Sequence, residues 1–170
     1  MLLGSRGSGN MAKRLACSVL VFVALFLAGC DHATKAIAKA SLRSTVTVVP
    51  NVFDLQYTEN HDTAFSLLRQ AGTSLHPWIL AGVALMTLIA ASVVWWTRRR
   101  APRLEQLGYS VIIGGALGNV IDRFARGYVV DFMHIHRWPV FNVADMAVVA
   151  GVGLVFLSSM RASRKEKVAT

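Results

Sequence analysis

The chain carries four long apolar blocks separated by polar or charged stretches. The blocks span residues 15–29, 78–96, 106–121 and 140–160, and only the last contains a charged residue, Asp145. A helix needs roughly 20 residues, within a range of about 17 to 25, to cross the hydrocarbon layer. The second and fourth blocks have that length, and the first and third reach it when polar residues at their outer ends are included. The pattern predicts an all-α polytopic membrane protein with four transmembrane helices.

The charged residues predict the orientation of these helices. Most Lys and Arg residues lie before the first block, between the second and third, and after the fourth, whereas the remaining segments hold equal numbers of basic and acidic residues. Because loops rich in Lys and Arg stay in the cytoplasm, both termini are predicted to be cytoplasmic. The net charge of +9 is explained by these topology signals and by contact with anionic membrane lipids, so no nucleic-acid partner is implied.

The remaining segments suggest how the chain is divided. Residues 1–12 are predicted to be a disordered N-terminus with Met11 as an alternative start, residues 13–160 the membrane domain, and residues 161–170 a basic cytoplasmic tail. A β-rich insertion is predicted at about residues 41–76. Within it, the β-branched runs "STVTVV" and "VFDLQYT" flank Pro50-Asn51, which indicates a two-stranded turn, and "TAFSLL" is a candidate third strand.

Polar residues gather at the outer ends of the third and fourth helices. Gly115, Asn119 and Asp122 share one face of the third helix, Asn142 and Asp145 share a face of the fourth, and a short link joins the two helices. We therefore expect a polar cluster at the outer membrane boundary, made of Asp131, Asp145, Asn119, Asn142 and Arg123. Ionisable groups at membrane depth are costly, which makes them candidates for function.

Two carboxylates that meet in a poorly solvated place cannot both ionise, so the pair shares one proton. Such a pair suits peptide hydrolysis, because the ionised group activates water while the protonated group donates to the carbonyl oxygen. No metal, cofactor or covalent intermediate is required. Spacing alone does not choose between Asp131 and Asp122 as the partner of Asp145.

Several residues also have a purely structural interpretation. Asp122-Arg123 could form an ion pair at a helix end, the two asparagines could hydrogen-bond between helices, and Gly114 with Gly118 forms a GxxxG packing motif. His134 and His136 are interpreted as surface residues near lipid headgroups. For the whole chain, a proton-coupled transporter and a non-catalytic binding scaffold are the alternative functions. A transporter would be expected to carry its charged residues near the bilayer midplane.

Five motifs in this chain resemble those of the lipoprotein signal peptidases, the signal peptidase II family. They are "DHATK" (31–35), "ENHDTAFSLL" (59–68), "GGALGNVIDR" (114–123), "GYVVDF" (127–132) and "FNVAD" (141–145), and the similarity runs from about Met11 to Met160. The resemblance implies an aspartic endopeptidase of the bacterial inner membrane with four transmembrane helices, a small periplasmic β-cradle and a short periplasmic helix. Such an enzyme removes the signal peptide of a prolipoprotein just before a diacylglyceryl-modified cysteine.

The resemblance also implies roles for single residues. It makes Asp131 and Asp145 the catalytic pair and implies no metal or cofactor. The supporting residues that it implies are Asp31, Lys35, Asn60, Gly115, Asn119, Arg123 and Asn142. Of these, we interpret Asn60, Asn119, Arg123 and Asn142 as substrate contacts, and Asp31 with Lys35 as holding the first helix in place. The expected partners are modified prolipoproteins and membrane lipids, with the active site facing the periplasm of a monomer.

Two local features need separate interpretation. Asp62 stands where the family usually has glycine, in a loop thought to cover the substrate, which bears on loop flexibility but not on the carboxylate pair. Leu27-Ala28-Gly29-Cys30 looks like the lipobox at which lipoprotein precursors are lipidated and cut. We interpret that likeness as coincidental, because cleavage there would remove the first helix.

Overall fold

The computed structural model describes residues 5–61, 77–98 and 100–169. The elements in this part of the chain are α1 (Ser5–Ser41), β1 (Val46–Val49), β2 (Phe53–Asn60), α2 (Pro77–Thr97), α3 (Arg103–Arg126), β3 (Val129–Ile135) and α4 (Val143–Ala169). Residues 5–12 are helical, where the sequence predicted disorder. The candidate strand "TAFSLL" and Asp62 lie outside the described residues.

α3 is the central helix and packs against α1, α2 and α4. Its glycines allow close approach: a Cβ at Gly114 would lie 2.7 Å from the carbonyl oxygen of Ala24 on α1, and one at Gly108 would lie 2.8 Å from that of Gly151 on α4. The packing interpretation of the GxxxG motif is therefore confirmed, with α1 as the partner helix.

The outer surfaces of the helices are apolar. Phe22, Phe26, Val149 and Phe156 are each 59–66% exposed, whereas the buried apolar side chains of the described residues are all alanines and valines. Within the described part of the chain, two helical stretches are long and apolar enough to cross a membrane, Cys17–Ser41 and Val143–Arg164, and α2 contains a shorter apolar stretch, Leu85–Thr97. Large exposed apolar surfaces are rare on soluble monomers and suit contact with lipid. α3 is less apolar because charged residues occupy both of its ends.

The three described strands form an antiparallel sheet in the order β1-β2-β3. The predicted turn at Pro50-Asn51 is confirmed, and Asn51 takes the left-handed backbone conformation with φ 59°. β3 was not predicted from the sequence. It begins two residues after Gly127, whose positive φ of 79° ends α3, and it pairs Asp131 with Thr58 and Val129 with Asn60.

The chain direction places the sheet at one end of the helices. α1 leads into β1, α3 leads into β3, and α4 leads away from β3. The sheet therefore lies at the end opposite the basic residues of the α2–α3 connection and of the C-terminal part of α4. The separate short outer helix implied by the resemblance is not among the elements of the described residues.

Candidate active site

The first turn of α4 holds one of the two expected catalytic carboxylates. Asn142 precedes the helix, and its Oδ1 accepts a hydrogen bond from the backbone N–H of Asp145 at 3.0 Å. In return, Asp145 Oδ2 accepts one from the N–H of Asn142 at 3.3 Å. This reciprocal arrangement is a capping box, which satisfies two N–H groups at the helix start. It also fixes the position of the Asp145 side chain.

The second carboxylate, Asp131, lies on β3 and is only 2% exposed. Its Oδ2 accepts a hydrogen bond from Asn60 Nδ2 on the neighbouring strand at 2.7 Å. Its Oδ1 accepts one from Asn142 Nδ2 at 2.6 Å. Asn142 therefore contacts both aspartates, with its amide on Asp131 and its carbonyl on the backbone of Asp145.

Asn119 on α3 completes the connection between the two carboxylates. Its Nδ2 donates to Asp145 Oδ1 at 2.8 Å. Its Oδ1 accepts from Asn142 Nδ2 at 3.2 Å and from Lys35 Nζ at 2.9 Å. The structure thus brings together residues from α1, α3, β2, β3 and α4. The sequence argument had expected Asn119, Asp131, Asn142 and Asp145 to converge, whereas Lys35 and Asn60 were implied only by the resemblance. The three asparagines hydrogen-bond to the aspartates, while their expected role as substrate contacts stays a prediction.

The environment of Asp131 changes its acidity. Burial, followed by the negative charge of Asp145, raises the pKa of Asp131 from its ordinary 3.8 to about 7. The amide hydrogen bonds from Asn60 and Asn142 oppose this shift. The raised pKa favours the protonated form of Asp131, which is the state that the sequence argument required of one member of the pair.

Asp122 lies in a different cluster from the two aspartates. It is fully buried and its carboxylate is 2.8 Å from Lys35 Nζ and 2.5 Å from Arg126. The structure therefore pairs Asp122 with Lys35 and Arg126, where the sequence argument had considered Arg123 as the partner. Arg123 itself lies beside the site, with its guanidinium 3.5 Å from the carbonyl oxygen of Asn119.

Lys35 also contacts Asp31 on its own helix, at 2.6 Å. Asp31 in turn accepts a hydrogen bond from the N–H of Ala144 on α4 at 2.9 Å. These contacts tie α1 to the start of α4, as expected for residues that hold the first helix in place.

Gly115 supports the site through packing. A Cβ at this position would overlap the carbonyl oxygen of Ala144, next to Asp145. Only a glycine lets α3 approach the first turn of α4 this closely.

Gly115→Ala is expected to destabilise the protein by about 1–3 kcal/mol, because α3 and α4 must separate to make room for the methyl group. Thermal unfolding in detergent measures the effect. Gly153→Ala on α4 is the matched control, since a Cβ there meets nothing within 4 Å and alanine favours the helix. Equal unfolding temperatures for the two variants would contradict this account.

An apolar groove begins at Asp145. A cavity of about 590 Å³ is lined by Asp145, Met146 and Val149 of α4 and by Trp138 and Phe141 of the segment that precedes this helix. Asp145 is half-buried at one edge of this groove, whereas Asp131 is enclosed. An apolar ligand lying in the groove would therefore contact the exposed side of the pair.

The two histidines of β3 and the following turn lie away from the catalytic pair. His134 is partly exposed and lies 3.6 Å from Asp54 of the neighbouring strand, and His136 is exposed. This agrees with their interpretation as surface residues.

Comparison with known proteins identifies the chain's relatives. A family model described as "Signal peptidase (SPase) II" matches residues 23–161. The lipoprotein signal peptidase of Syntrophotalea carbinolica is 34% identical over 151 residues, covering 84% of this chain and 91% of the relative. That of Dichelobacter nodosus is 38% identical over 162 residues, covering 89% and 97%. A solved bacterial membrane enzyme superposes with a TM-score of 0.72 at 25% identity, covering 86% of this chain and 90% of its own.

Together, the fold and the comparisons define a mostly helical bacterial membrane enzyme of the aspartic peptidase class. The family match covers most of the chain, and the relatives are similar over nearly their whole length. The chain belongs to the signal peptidase II family. The resemblance seen in the five sequence motifs is thereby confirmed.

Proposed function

We propose that this chain removes signal peptides from bacterial prolipoproteins, with Asp131 and Asp145 as the catalytic pair. The observation that carries the proposal is the amide network of Asn60, Asn119 and Asn142, which joins two carboxylates from different elements at the sheet end of the helices. Family membership supports the activity, and the geometry supports the choice of residues. Asp122 is engaged in ion pairs elsewhere, so it does not compete for the role.

The environments of the two carboxylates suggest different tasks. Asp145 lies in the first turn of α4, where the positive end of the helix dipole stabilises a negative charge. Asp131 is enclosed, and its pKa of about 7 leaves a large fraction of it protonated near neutral pH. In the proposed reaction, ionised Asp145 takes a proton from water, and the resulting hydroxide attacks the scissile carbonyl carbon. Asp131 donates its proton to the carbonyl oxygen. When the tetrahedral intermediate collapses, the C–N bond breaks and the proton held by Asp145 passes to the leaving amine, while Asp131 takes back a proton from a hydroxyl of the intermediate, so that both carboxyl groups return to their starting states.

The groove beside Asp145 provides a place for the substrate. Its apolar walls suit the hydrophobic segment of a signal peptide, which would enter from the lipid along α4. The modified cysteine follows the scissile bond, so its diacylglyceryl group would also lie near the pair. We propose that cleavage occurs just before this cysteine.

The arrangement of the helices supports a multi-pass topology. At 1.5 Å per residue, α2 and α3 are about 32 and 36 Å long, enough to cross a hydrocarbon layer of about 30 Å. We propose that all four helices cross the inner membrane, with both termini cytoplasmic and the sheet forming the periplasmic cradle. The peptidase domain would comprise residues 13–160, with its β-rich insertion at about 41–76 and the basic tail at 161–170. Because one chain supplies every residue of the site, a monomer suffices.

The activity is tested with purified protein in detergent and a prolipoprotein carrying diacylglyceryl-cysteine, with EDTA present. We expect a gel shift and, by mass spectrometry, a new N-terminus at the modified cysteine. The unmodified precursor serves as the control substrate. Failure of the folded wild-type protein to cleave the modified precursor would overturn the proposed function.

Stability is expected to depend on pH through Asp131. The native state keeps this proton up to about pH 7, whereas the unfolded chain loses it near 3.8, so the associated stability is present at low pH and lost as the pH rises through about 7. The unfolding temperature of the wild type should therefore fall relative to that of Asp131→Asn between about pH 5 and about pH 8. If the unfolding temperatures of the two proteins changed with pH in parallel, this would contradict the raised pKa of Asp131. Cleavage should decline over the same range, because Asp131 loses the proton that it donates.

A further inference from the structure

Three charged side chains are fully buried beneath the catalytic pair and take no part in the proposed reaction. They are Asp31 and Lys35 on α1 and Asp122 on α3, and each is 0% exposed. Lys35 Nζ lies between the two carboxylates, 2.6 Å from Asp31 and 2.8 Å from Asp122. Burying such a group is costly, and apolar side chains often stabilise a fold equally well. The cost of burying these charges therefore suggests that the cluster has a role beyond stability.

Each acid of this cluster holds the backbone beside one catalytic residue. Asp31 Oδ1 accepts the N–H of Ala144 at 2.9 Å, and Ala144 directly precedes Asp145. Asp122 Oδ2 accepts the N–H of Val130 at 3.4 Å, and Val130 directly precedes Asp131. Since Lys35 joins the two acids, the cluster links the backbone positions from which both catalytic side chains project.

Lys35 also determines how Asn119 is oriented. An ammonium group only donates hydrogen bonds, so the atom of Asn119 that faces Lys35 must be its oxygen. This leaves the Asn119 amide group directed at Asp145 Oδ1, at 2.8 Å. Without Lys35, the side-chain amide of Asn119 would lose one of the contacts that prevent a flip, which would exchange the positions of its oxygen and nitrogen.

The glycine at position 118 makes room for this arrangement. A Cβ there would lie 2.5 Å from Oδ2 of Asp31. The second glycine of the GxxxG motif thus leaves room for the Asp31 carboxylate between α1 and α3, and it also allows close contact of the two helices.

We propose that Asp31, Lys35 and Asp122 form a positioning unit, the buried clamp, that sets the separation of Asp131 and Asp145 and the orientation of Asn119. The three side chains of the clamp are fully buried, so they do not reach the exposed side of the aspartate pair. It acts on the reaction through the backbone of β3 and α4 and through one side-chain amide. This inference rests on the proposed function, because it presupposes that Asp131 and Asp145 are the reacting groups.

The main test removes one positive and one negative charge together, so that no excess charge is buried. In the Lys35→Met/Asp31→Asn double variant, the new asparagine can still accept the N–H of Ala144, and Asp122 keeps Arg126 as its partner. Because small displacements of catalytic groups have large effects, we expect kcat to fall on the order of 10²-fold with KM little changed. The matched control is Glu105→Gln, which breaks the ion pair between the buried Glu105 and the exposed Arg98 at the opposite end of α3.

The pH profile separates positioning from a merely structural role. The charged groups whose electrostatic effect reaches Asp131 include Lys35 of α1, Arg123 of α3 and Asp145 of α4. Removing the positive charge of Lys35 favours the protonated form of Asp131, so the decline of kcat on the alkaline side should move to higher pH. A loss of folded protein alone would lower the active fraction without moving that decline.

The outcomes are distinguishable from failure of the proposed function. Cleavage by the wild type establishes the activity first, and a double variant that then retains wild-type kcat and pH profile would overturn the clamp alone. If the double variant does not fold, Asn119→Ala provides the second test, because it breaks the path from Lys35 to Asp145 without removing a charge. We expect a similar loss of kcat in that variant, and unchanged kcat would refute the proposal.

Discussion

Asp131→Asn and Asp145→Asn are each expected to reduce cleavage of a diacylglyceryl-modified prolipoprotein on the order of 10⁴-fold, to the detection limit of a gel assay. Asparagine preserves the size of each side chain but cannot exchange a proton. The amide introduced at position 145 could not remove a proton from water, and the amide introduced at position 131 could not protonate the carbonyl oxygen. Because the two groups act together, the double variant should lose little more than either single variant.

The matched control for this prediction is Asp54→Asn. Asp54 lies on β2 within the same sheet, 3.6 Å from His134, and has no hydrogen bond to the catalytic network among the described contacts. Its replacement should leave the cleavage rate within about twofold of the wild type, as for most surface substitutions. Full activity in a folded Asp131→Asn or Asp145→Asn protein would show that the wrong carboxylates had been chosen, and Asp122 would become the next candidate.

The elements with a regular pattern were predictable from the sequence. The first three apolar blocks lie within helices, the fourth begins three residues before α4, and the β-branched runs around Pro50-Asn51 form β1 and β2. β3 was missed although "VVDFMHI" is rich in β-branched and apolar residues. Asp131 interrupts the apolar pattern of this segment. Its position between two apolar blocks is also typical of a short link between helices.

The residues of the site were predictable, but most of their contacts were not. Asn142 and Asp145 are three residues apart, which is also the spacing of a capping box, so this local contact could be predicted from the sequence. Asp122 and Arg126 are four apart on one helix, which is likewise the spacing of an ion pair. The contacts of Lys35 with Asn119 and Asp122 join distant parts of the chain, and no local pattern specifies them.

The structure also bears on the lipobox-like tetrapeptide that ends at Cys30. α1 continues through this position to Ser41, and the next residue, Asp31, is fully buried against α3 and α4. Cleavage before Cys30 would separate most of α1 from the residues that anchor it. This supports the interpretation that the likeness is coincidental.

Asn142→Leu is expected to have the second-largest effect, because Asn142 is the one described side chain that hydrogen-bonds to Asp131 and also caps the helix carrying Asp145. Leucine is similar in size but apolar. It leaves the buried Oδ1 of Asp131 without its 2.6 Å donor and the N–H of Asp145 without its acceptor. Loss of a helix cap costs about 0.5–2 kcal/mol, and an unsatisfied buried acceptor costs about 1–3 kcal/mol. We expect a clear drop in unfolding temperature and a loss of kcat of about 10²–10³-fold, as for removal of a preorganised active-site donor.

Asn142→Asp separates the two roles of this residue. Aspartate can still cap α4, so most of the stability lost in the leucine variant should return. An ionised aspartate cannot donate a hydrogen bond to Asp131, and it adds a second negative charge to that of Asp145. The activity should therefore stay low while the unfolding temperature recovers, as measured by cleavage rate and thermal unfolding on the same preparations. Recovery of both together would mean that Asn142 contributes only as a helix cap, and that the amide contact with Asp131 is not needed for catalysis.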